Sequence, residues 1–129
     1  MLDFYTIDSD YLDFLRQFDS RIPENRYKTH EKFFCGIVLN INNCDYFAPV
    51  SHYNKPQRTN FAIYDKDNSK ILSTVRFNYM FPALQAVVHK LIIKDVYKTD
   101  SRYAILVAKE YDYCSKHEDH LRKRALSVY

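Results

Sequence analysis

Gly36 is the only glycine in this chain of 129 residues, and its isolation excludes two large classes of fold. Glycine-rich loops that hold phosphates, as in Rossmann and P-loop domains, need several glycines at fixed spacing. The sequence therefore excludes nucleotide binding by those two routes. Aromatic residues are abundant by contrast, with 12 tyrosines and 9 phenylalanines. They predict either a large aromatic core or flat surfaces on which nucleic-acid bases can stack.

Length and composition predict one folded domain spanning residues 1–129. Hydrophobic residues make up 47% of the chain and charged residues 27%, which is ordinary globular composition and excludes wholesale disorder. No apolar run approaches the roughly 20 residues of a membrane span, and the N-terminus lacks the features of a signal peptide. We therefore expect a cytoplasmic protein without a membrane partner. The three cysteines (Cys35, Cys44 and Cys114) lack C-x-x-C spacing and are interpreted as buried or half-buried thiols.

The net charge of +3 is unevenly distributed along the chain. Residues 1–24 hold six acidic and two basic side chains, a net charge of −4, so residues 25–129 carry +7. An acidic beginning on a basic body permits a polyanionic partner without requiring one.

The hydrophobic pattern predicts an α+β domain, a compact antiparallel sheet with helices at its start and end. A short strand over 2–7 is followed by a helix that Asp8 or Ser9 caps and whose apolar face runs to Phe18. Residues 19–32 are polar and are predicted to form a loop. Further strands are predicted over 33–41, 45–50, 61–64, 71–77 and 87–93, with Asn42-Asn43 as a hairpin turn. Asp100 or Ser101 then caps a helical C-terminal third, whose apolar face continues or restarts after a break.

Two polar loops are expected to meet at one end of this sheet. Lys32 enters the strand that begins at Phe33, and Ser51 leaves the return strand, so an antiparallel hairpin places them side by side. The facing loops hold hydroxyls, imidazoles and several cations: Arg26, Tyr27, Lys28 and His30 on one side, and His52, Lys55 and Arg58 on the other. Such a set suits a phosphate group, because cations oppose its charge and hydroxyls donate to its oxygens. The alternative is that both loops are simply solvated.

Two other chemistries receive less support. Cys114, His117 and His120 have a spacing that could ligate zinc, but one helix cannot close a tetrahedral site and no second Cys/His pair accompanies it. We therefore expect no metal and no cofactor. A serine hydrolase is disfavoured because no G-x-S-x-G elbow is present. His89, inside an apolar strand, is interpreted as a hydrogen-bonded core or sheet residue.

Four segments, taken in order, resemble the ToxN/AbiQ family of endoribonuclease toxins from type III toxin–antitoxin systems. They are Phe4-Tyr5-Thr6-Ile7, the run from Lys32 to Leu39, the run from Tyr46 to Ser51, and the run from Arg76 to Pro82. The resemblance implies a strongly twisted sheet similar to the MazF/Kid toxin fold. It also implies a cytoplasmic, metal-independent endoribonuclease that contributes to phage resistance by abortive infection. Its partners would be cellular RNA and a small repeated pseudoknot RNA, which the toxin cuts and which inhibits it in a higher-order protein–RNA assembly.

The resemblance also implies roles for individual residues. The hydroxyl after Ala-Pro matches Ser51, the lysine beyond it matches Lys55, the lysine opening the strand matches Lys32, and the tyrosine before it matches Tyr27. His52 stands where relatives often have a second small hydroxyl, and it becomes a candidate for proton transfer, with Lys32 as its competitor. RNA contacts are expected from Arg26, Lys28, His30, Tyr53, Gln57, Arg58 and Asn78. The alternative is a module that binds RNA through the same loops without cutting it.

Overall fold

A computed structural model describes residues 1–23, 26–27 and 30–129, with only the backbone described at Arg26, Tyr27 and His30. These residues form an α+β fold, as predicted. The elements in chain order are β1 (Asp3–Ile7), α1 (Ser9–Arg16), β2 (Arg26–Tyr27), β3 (His30–Glu31), β4 (Phe34–Ile41), β5 (Cys44–Ser51), β6 (Asn60–Tyr64), β7 (Ile71–Arg76), β8 (Phe81–Pro82), β9 (Val88–Lys90), α2 (Ile93–Thr99), α3 (Ser101–Lys116) and α4 (Glu118–Val128). The likeness to the MazF/Kid fold stays a prediction.

The main sheet has seven antiparallel strands, in the order β6-β7-β5-β4-β1-β9, with β8 added beside β5. One edge of β5 pairs with β4, while its other edge pairs first with β8 and then, at Val50 and Ser51, with β7. This second edge brings a strand that is distant in sequence against the end of β5. β2 and β3 form a separate two-stranded ladder.

Helices cover both faces of the sheet. Successive side chains of a strand point to opposite sides, so each face has apolar residues that a helix can bury. Cys35 of β4 lies in the cluster formed with α3 and α4, whereas its neighbour Phe34 lies in the cluster that includes Leu12 of α1. The core is aromatic, as one of the two sequence interpretations proposed. Phe4 packs against Phe33 with ring centroids 4.9 Å apart.

The one glycine is required by close packing in this core. A Cβ atom added at Gly36 would lie 2.6 Å from Cε2 of Phe47, closer than carbon atoms approach. The hairpin turn predicted at Asn42-Asn43 is also confirmed, and these two residues adopt φ values of 52° and 64°. Asparagine tolerates this left-handed region better than most residues do.

Three predicted elements differ from the structure. The polar segment 19–32, predicted to be a loop, contains β2 and β3. The strand predicted over 87–93 forms a ladder with β1 only over Val88–Lys90, and after Leu91, whose N–H donates to the Phe4 carbonyl at 2.8 Å, the chain turns into α2. The helix expected to reach Phe18 ends at Arg16, which leaves the Phe18 side chain 75% exposed. The C-terminal third is confirmed: the helix restarts after a break at His117, between α3 and α4, and the Asp100 side chain caps α3 by accepting from the Tyr103 N–H at 3.1 Å.

No helix in the described ranges has the length and apolar character needed to cross a membrane.

Candidate active site

A cleft of about 330 Å³ lies where β4 begins and β5 ends. The Val50 N–H donates to the Phe33 carbonyl at 3.3 Å, which ties the two strand ends together. This pairing places Lys32, just before β4, beside Ser51, the last residue of β5, and both side chains line the cleft. The predicted meeting at one sheet end is therefore confirmed for this pair.

Two further segments complete the walls of the cleft. Arg76 ends β7, and Tyr79 lies in the short 3-10 turn that follows it. The segment after α1 closes the other side. The lining residues are Ser20, Arg21, Pro23, Lys32, Pro49, Ser51, Arg76 and Tyr79. Among the described residues, the lining contains three cations and no acid, so the cleft suits an anionic ligand.

The Arg76 guanidinium makes cation–π contact with two aromatic rings. Its central carbon is 4.5 Å from the ring centroid of Tyr53 and 4.5 Å from that of Tyr79. Its Nε atom is buried and has no hydrogen-bond partner among the described residues. Cation–π contact with both rings therefore holds the guanidinium in place, and no carboxylate among the described residues forms an ion pair with it.

Lys32 is half-buried at the base of the same cleft. Burial lowers the pKa of its ammonium group, and the positive charge of Arg76 lowers it further. Both effects favour the neutral amine, because desolvation and a like charge each penalise the ammonium form. At a given pH, a larger fraction of Lys32 is therefore in the neutral form, which can accept a proton, than for an ordinary lysine.

Ser51 and the residues around it are fixed by hydrogen bonds. The Ser51 Oγ accepts from the Tyr53 N–H at 3.3 Å, which leaves its own hydroxyl hydrogen available to a ligand. The Thr74 hydroxyl donates to the Tyr53 carbonyl at 2.9 Å. Tyr53, which holds one face of Arg76, is thus anchored to both β5 and β7.

The segment 52–59, here called the rim loop, is more exposed than the cleft floor. His52, Lys55 and Arg58 are all exposed, and none of them lines the cleft. The backbone of this loop is nevertheless held, because buried Asn60 accepts from the Gln57 N–H and donates to the Lys55 carbonyl, both at 3.0 Å. The Gln57 side chain donates to the Tyr53 hydroxyl at 3.0 Å.

Arg124 of α4 secures the rim loop from outside. Its Nη1 donates to the Asn60 carbonyl at 2.8 Å and to the Gln57 carbonyl at 3.4 Å. The C-terminal helix is therefore connected to the segment that carries Lys55.

The family described as Toxin ToxN, type III toxin–antitoxin system, matches residues 3–129. The chain belongs to the ToxN family. Endoribonuclease ToxN of Bacillus thuringiensis subsp. kurstaki is 27% identical over 129 residues, which cover 98% of this chain and 66% of that relative. Endoribonuclease ToxN of Pectobacterium atrosepticum is 24% identical over 134 residues, which cover 96% of this chain and 77% of the relative.

A solved structure has the same fold. It is described as showing selective toxin inhibition by a non-coding RNA pseudoknot in type III toxin–antitoxin systems. Its TM-score is 0.91 at 27% identity, over 99% of this chain and 77% of that chain. The present chain spans about two thirds of the length of the Bacillus relative, 66%.

Several predicted residues of this ToxN-family chain lie outside what the structure describes. Lys28 falls outside the described residues, as do the side chains of Arg26, Tyr27 and His30. The backbones of Tyr27 and His30 pair across the β2–β3 ladder. Asn78 lies in the 3-10 turn next to Tyr79, and its Oδ1 is buried without a hydrogen-bond partner among the described residues.

The residues considered for a zinc site, and His89, have contacts that explain them by packing or hydrogen bonding. Cys35 and Cys114 are buried thiols as predicted, but Cys44, at the start of β5 beside the hairpin turn, is exposed. The His117 ring packs against Tyr113 with centroids 4.2 Å apart. Over the described ranges, no three His, Cys, Asp or Glu side chains are grouped to hold a metal. His89 Nε2 lies 2.7 Å from Asp8 Oδ1, so the interpretation as a hydrogen-bonded sheet residue is confirmed.

Sequence reasoning missed Arg76 and Tyr79 as members of the cleft. Both fall in a segment that the family resemblance covers, but their position depends on the pairing of β5 with β7, where Ser51 is opposite Thr74. A hairpin can be read from adjacent sequence, whereas this pairing joins strands that are more than twenty residues apart. The signal that was available is a lone arginine at the end of an apolar strand.

Proposed function

We propose that this chain is an endoribonuclease toxin that cleaves cellular RNA and is held inactive by a small repeated RNA. Relatives that align over nearly the whole chain are named endoribonucleases, and a solved relative is inhibited by an RNA pseudoknot. The observation that carries the proposal is the cleft itself, which joins Lys32, Ser51 and Arg76 with no acid among its described lining residues. A phosphodiester is the RNA group that such a cleft suits.

The reaction that fits these side chains is transesterification within RNA. The ribose 2′-oxygen attacks the adjacent phosphorus while the bond from phosphorus to the 5′-oxygen breaks. The 2′-hydroxyl loses its proton to a base and the departing 5′-oxygen gains one, so the products are a 2′,3′-cyclic phosphate and a 5′-hydroxyl. Because the nucleophile belongs to the RNA, the protein has to position the phosphate, stabilise charge and move protons. These tasks require no metal ion, and the proposal is a metal-independent reaction.

Ser51 is proposed to donate its hydroxyl hydrogen to a phosphate oxygen. Its Oγ already accepts from the Tyr53 N–H, so the hydroxyl is oriented before RNA binds. A preorganised donor of this kind contributes about 100- to 1000-fold in rate, because it needs no reorganisation as charge develops. Lys55 is proposed to stabilise the developing negative charge with its ammonium group. It lies on the rim loop, where its backbone carbonyl accepts a hydrogen bond from Asn60.

Lys32 is the better of the two candidates for proton transfer. It lines the cleft beside Ser51, and burial together with Arg76 lowers its pKa. His52 lies on the exposed rim loop and does not line the cleft. A base must lie within hydrogen-bond reach of the proton it removes, so geometry favours Lys32. Tyr27 is proposed as a further catalytic residue on the family resemblance alone.

The inhibitor RNA is proposed to cover this cleft and the basic loops around it. Contacts are proposed from Arg26, Lys28, His30, Tyr53, Gln57, Arg58 and Asn78. Of these, Tyr53 and Asn78 adjoin the cleft through Arg76 and Tyr79, while Gln57 and Arg58 lie on the rim loop. The repeated RNA is proposed to be a pseudoknot that the toxin also cuts, and the two are proposed to form a higher-order assembly in the cytoplasm that acts in phage resistance.

The test is incubation of the purified protein with RNA in the presence of EDTA, followed by analysis of the new ends. We expect cleavage that EDTA does not prevent and products that end in 2′,3′-cyclic phosphates. The matched control is Ser51→Ala, which removes one hydroxyl from the cleft. Binding of RNA without any cleavage would instead support the RNA-binding module, and products ending in 3′-hydroxyls would contradict the transesterification.

A further inference from the structure

We propose that Arg76 is the principal phosphate-binding residue of the cleft, with Tyr53 and Tyr79 acting as two walls that hold its guanidinium edge-on to the RNA backbone. This inference deepens the proposed function and rests on it for the identity of the phosphate as the scissile one. The existence of an anion site at Arg76 can be tested without any cleavage reaction.

The first observation is that no acid neutralises Arg76 within the described ranges. The contacts of its guanidinium are the two rings, each with a centroid 4.5 Å away, and no hydrogen bond or ion pair joins it to a described residue. An arginine placed only for stability is usually paired with a carboxylate or a carbonyl oxygen. No group among the described residues occupies these donors, and the cleft that Arg76 lines has room for a ligand.

The second observation is the orientation that the two rings impose. A guanidinium is planar and carries its N–H donors around its edge, so contact of the cation with two rings leaves that edge for polar contact. The buried Nε has no partner among the described residues, which directs ligand binding to the outer nitrogens. A rigid fork of this kind matches the oxygens of a phosphate, which it can bind through two parallel hydrogen bonds.

The third observation is that a second cation lies in the same cleft. The charge of Arg76 acts on Lys32 strongly enough to contribute to the lowering of its pKa. Two like charges close together in a half-buried site repel each other, and an anion bound between them relieves that repulsion. The pair is therefore better explained by a ligand than by the stability of the free protein.

The anchoring of Tyr53 supports a positioning role for the rings. Its backbone is held by Ser51 and Thr74, and its hydroxyl accepts from the Gln57 side chain. One aromatic wall of Arg76 is thus connected both to the strand that carries Ser51 and to the rim loop. Binding of a phosphate at Arg76 would place its oxygens beside the Ser51 hydroxyl that lines the same cleft.

The direct experiment is titration of the full chain with inorganic phosphate, observed by NMR at the arginine Nε–H groups. We expect a saturable shift of the Arg76 resonance and none at Arg102, an exposed arginine of α3. Absence of a saturable shift at Arg76 would overturn the proposal without the need for any variant. A shift of the Arg76 resonance in a protein that cleaves no RNA would support the anion site and contradict the proposed function.

Variants then connect the site to the reaction. Arg76→Gln is expected to slow single-turnover cleavage by about 100- to 1000-fold, the effect of losing one preorganised donor to a developing anion. It should also abolish inhibition of cleavage by inorganic phosphate, which a purely structural role would not affect. Arg76→Lys keeps the charge without the fork and should recover part of the rate. Cleavage by Arg76→Gln within threefold of the Arg102→Gln control would overturn the proposal.

Discussion

The floor of the cleft and the rim loop carry similar residue types but are built differently. Lys32, Ser51 and Arg76 lie at the ends of paired strands, where the backbone ladder fixes their positions, and they are half-buried. His52 and Lys55 lie on an exposed segment whose support comes from side chains. Catalytic groups must be held within a fraction of an ångström, whereas contacts that only add charge tolerate more freedom. The difference assigns chemistry to the floor and RNA attraction to the rim loop.

The support of the rim loop also differs in kind from that of the floor. Asn60 and Arg124 hold its backbone through hydrogen bonds to carbonyl and amide groups. Arg124 is exposed, so water competes for the contacts that Arg124 makes. The floor is supported by sheet pairing backed by core residues such as Val75 and Phe77, which are 0% and 1% exposed. We therefore expect changes in the floor to have larger effects than changes at the rim.

The largest effect is expected at the floor, from Ser51→Ala. Loss of its hydroxyl should lower single-turnover cleavage by about 100- to 1000-fold, because one donor to the developing phosphorane is removed. The melting temperature should change little, since the substitution removes one half-buried oxygen. The measurement is cleavage of one RNA substrate under single-turnover conditions, beside thermal unfolding of both proteins. A rate close to that of the wild type would remove Ser51 from the mechanism.

The next effect is a pH dependence of stability that arises from Glu110, a buried acid packed against β7, the strand that ends at Arg76. Glu110 of α3 is 1% exposed and hydrogen-bonds to Ser73 of β7. Burial raises the pKa of Glu110 from 4.5 to about 7, and the Ser73 hydrogen bond offsets part of that rise. The folded state therefore holds a proton that the unfolded chain releases above pH 4.5. Its contribution to stability is complete at lower pH and is lost progressively as the pH rises to about 7.

Glu110→Gln should remove this dependence because an amide does not ionise. At pH 8 the free energy of unfolding should exceed that of the wild type by up to about 3 kcal/mol, the equivalent of the pKa shift. Below pH 4.5 the two proteins should be alike. Denaturant unfolding at both pH values tests this, with Asp119→Asn, an exposed acid of α4, as control. Parallel pH profiles for wild type and Glu110→Gln would show that Glu110 is ionised in the fold.

A smaller effect is expected where α4 meets the rim loop. Arg124→Ala removes the donor to the Asn60 and Gln57 carbonyls, contacts that for an exposed group are equivalent to about 1 kcal/mol, or roughly fivefold in rate. We expect the loss in kcat, since a displaced Lys55 affects the transition state more than RNA binding. Lys123→Ala removes a neighbouring exposed charge and serves as control. Equal kcat values for the two variants would show that the rim loop keeps its shape without Arg124.

The smallest effect is expected from Arg58, at the exposed rim. Residues 25–129 carry a net charge of +7, so RNA binding should weaken as salt rises and counterions compete for the phosphates. Arg58→Ala should reduce the slope of log affinity against log salt by about 0.7, the loss of one contact to single-stranded RNA. Binding isotherms over a salt series measure this slope. An unchanged slope would place Arg58 outside the RNA contact surface.

Sequence reasoning succeeded where the relevant contacts are local and failed where they are not. The hairpin around Asn42 and Asn43 could be predicted because its turn and its apolar strands are adjacent in sequence. That prediction was enough to place Lys32 beside Ser51. Arg76 could not be placed, because its position depends on which strand occupies the second edge of β5. The strand predicted over 87–93 was too long for a related reason. Its apolar residues satisfy a strand pattern, but the ladder with β1 ends at Lys90. After one more backbone hydrogen bond, from the Leu91 N–H to the Phe4 carbonyl at 2.8 Å, the chain turns into α2.

The central claim, that the cleft floor carries the chemistry, is tested most directly by the pH dependence of single-turnover cleavage. Wild type, His52→Ala and Lys32→Ala should be compared from mildly acidic to mildly alkaline pH, with His30→Ala as a control for the neighbouring segment. Since the pKa of Lys32 is lowered by burial and by Arg76, we expect a rise in rate below the ordinary range of lysine. That rise should persist in His52→Ala and disappear in Lys32→Ala. Its disappearance in His52→Ala and survival in Lys32→Ala would contradict the account and assign proton transfer to the rim loop.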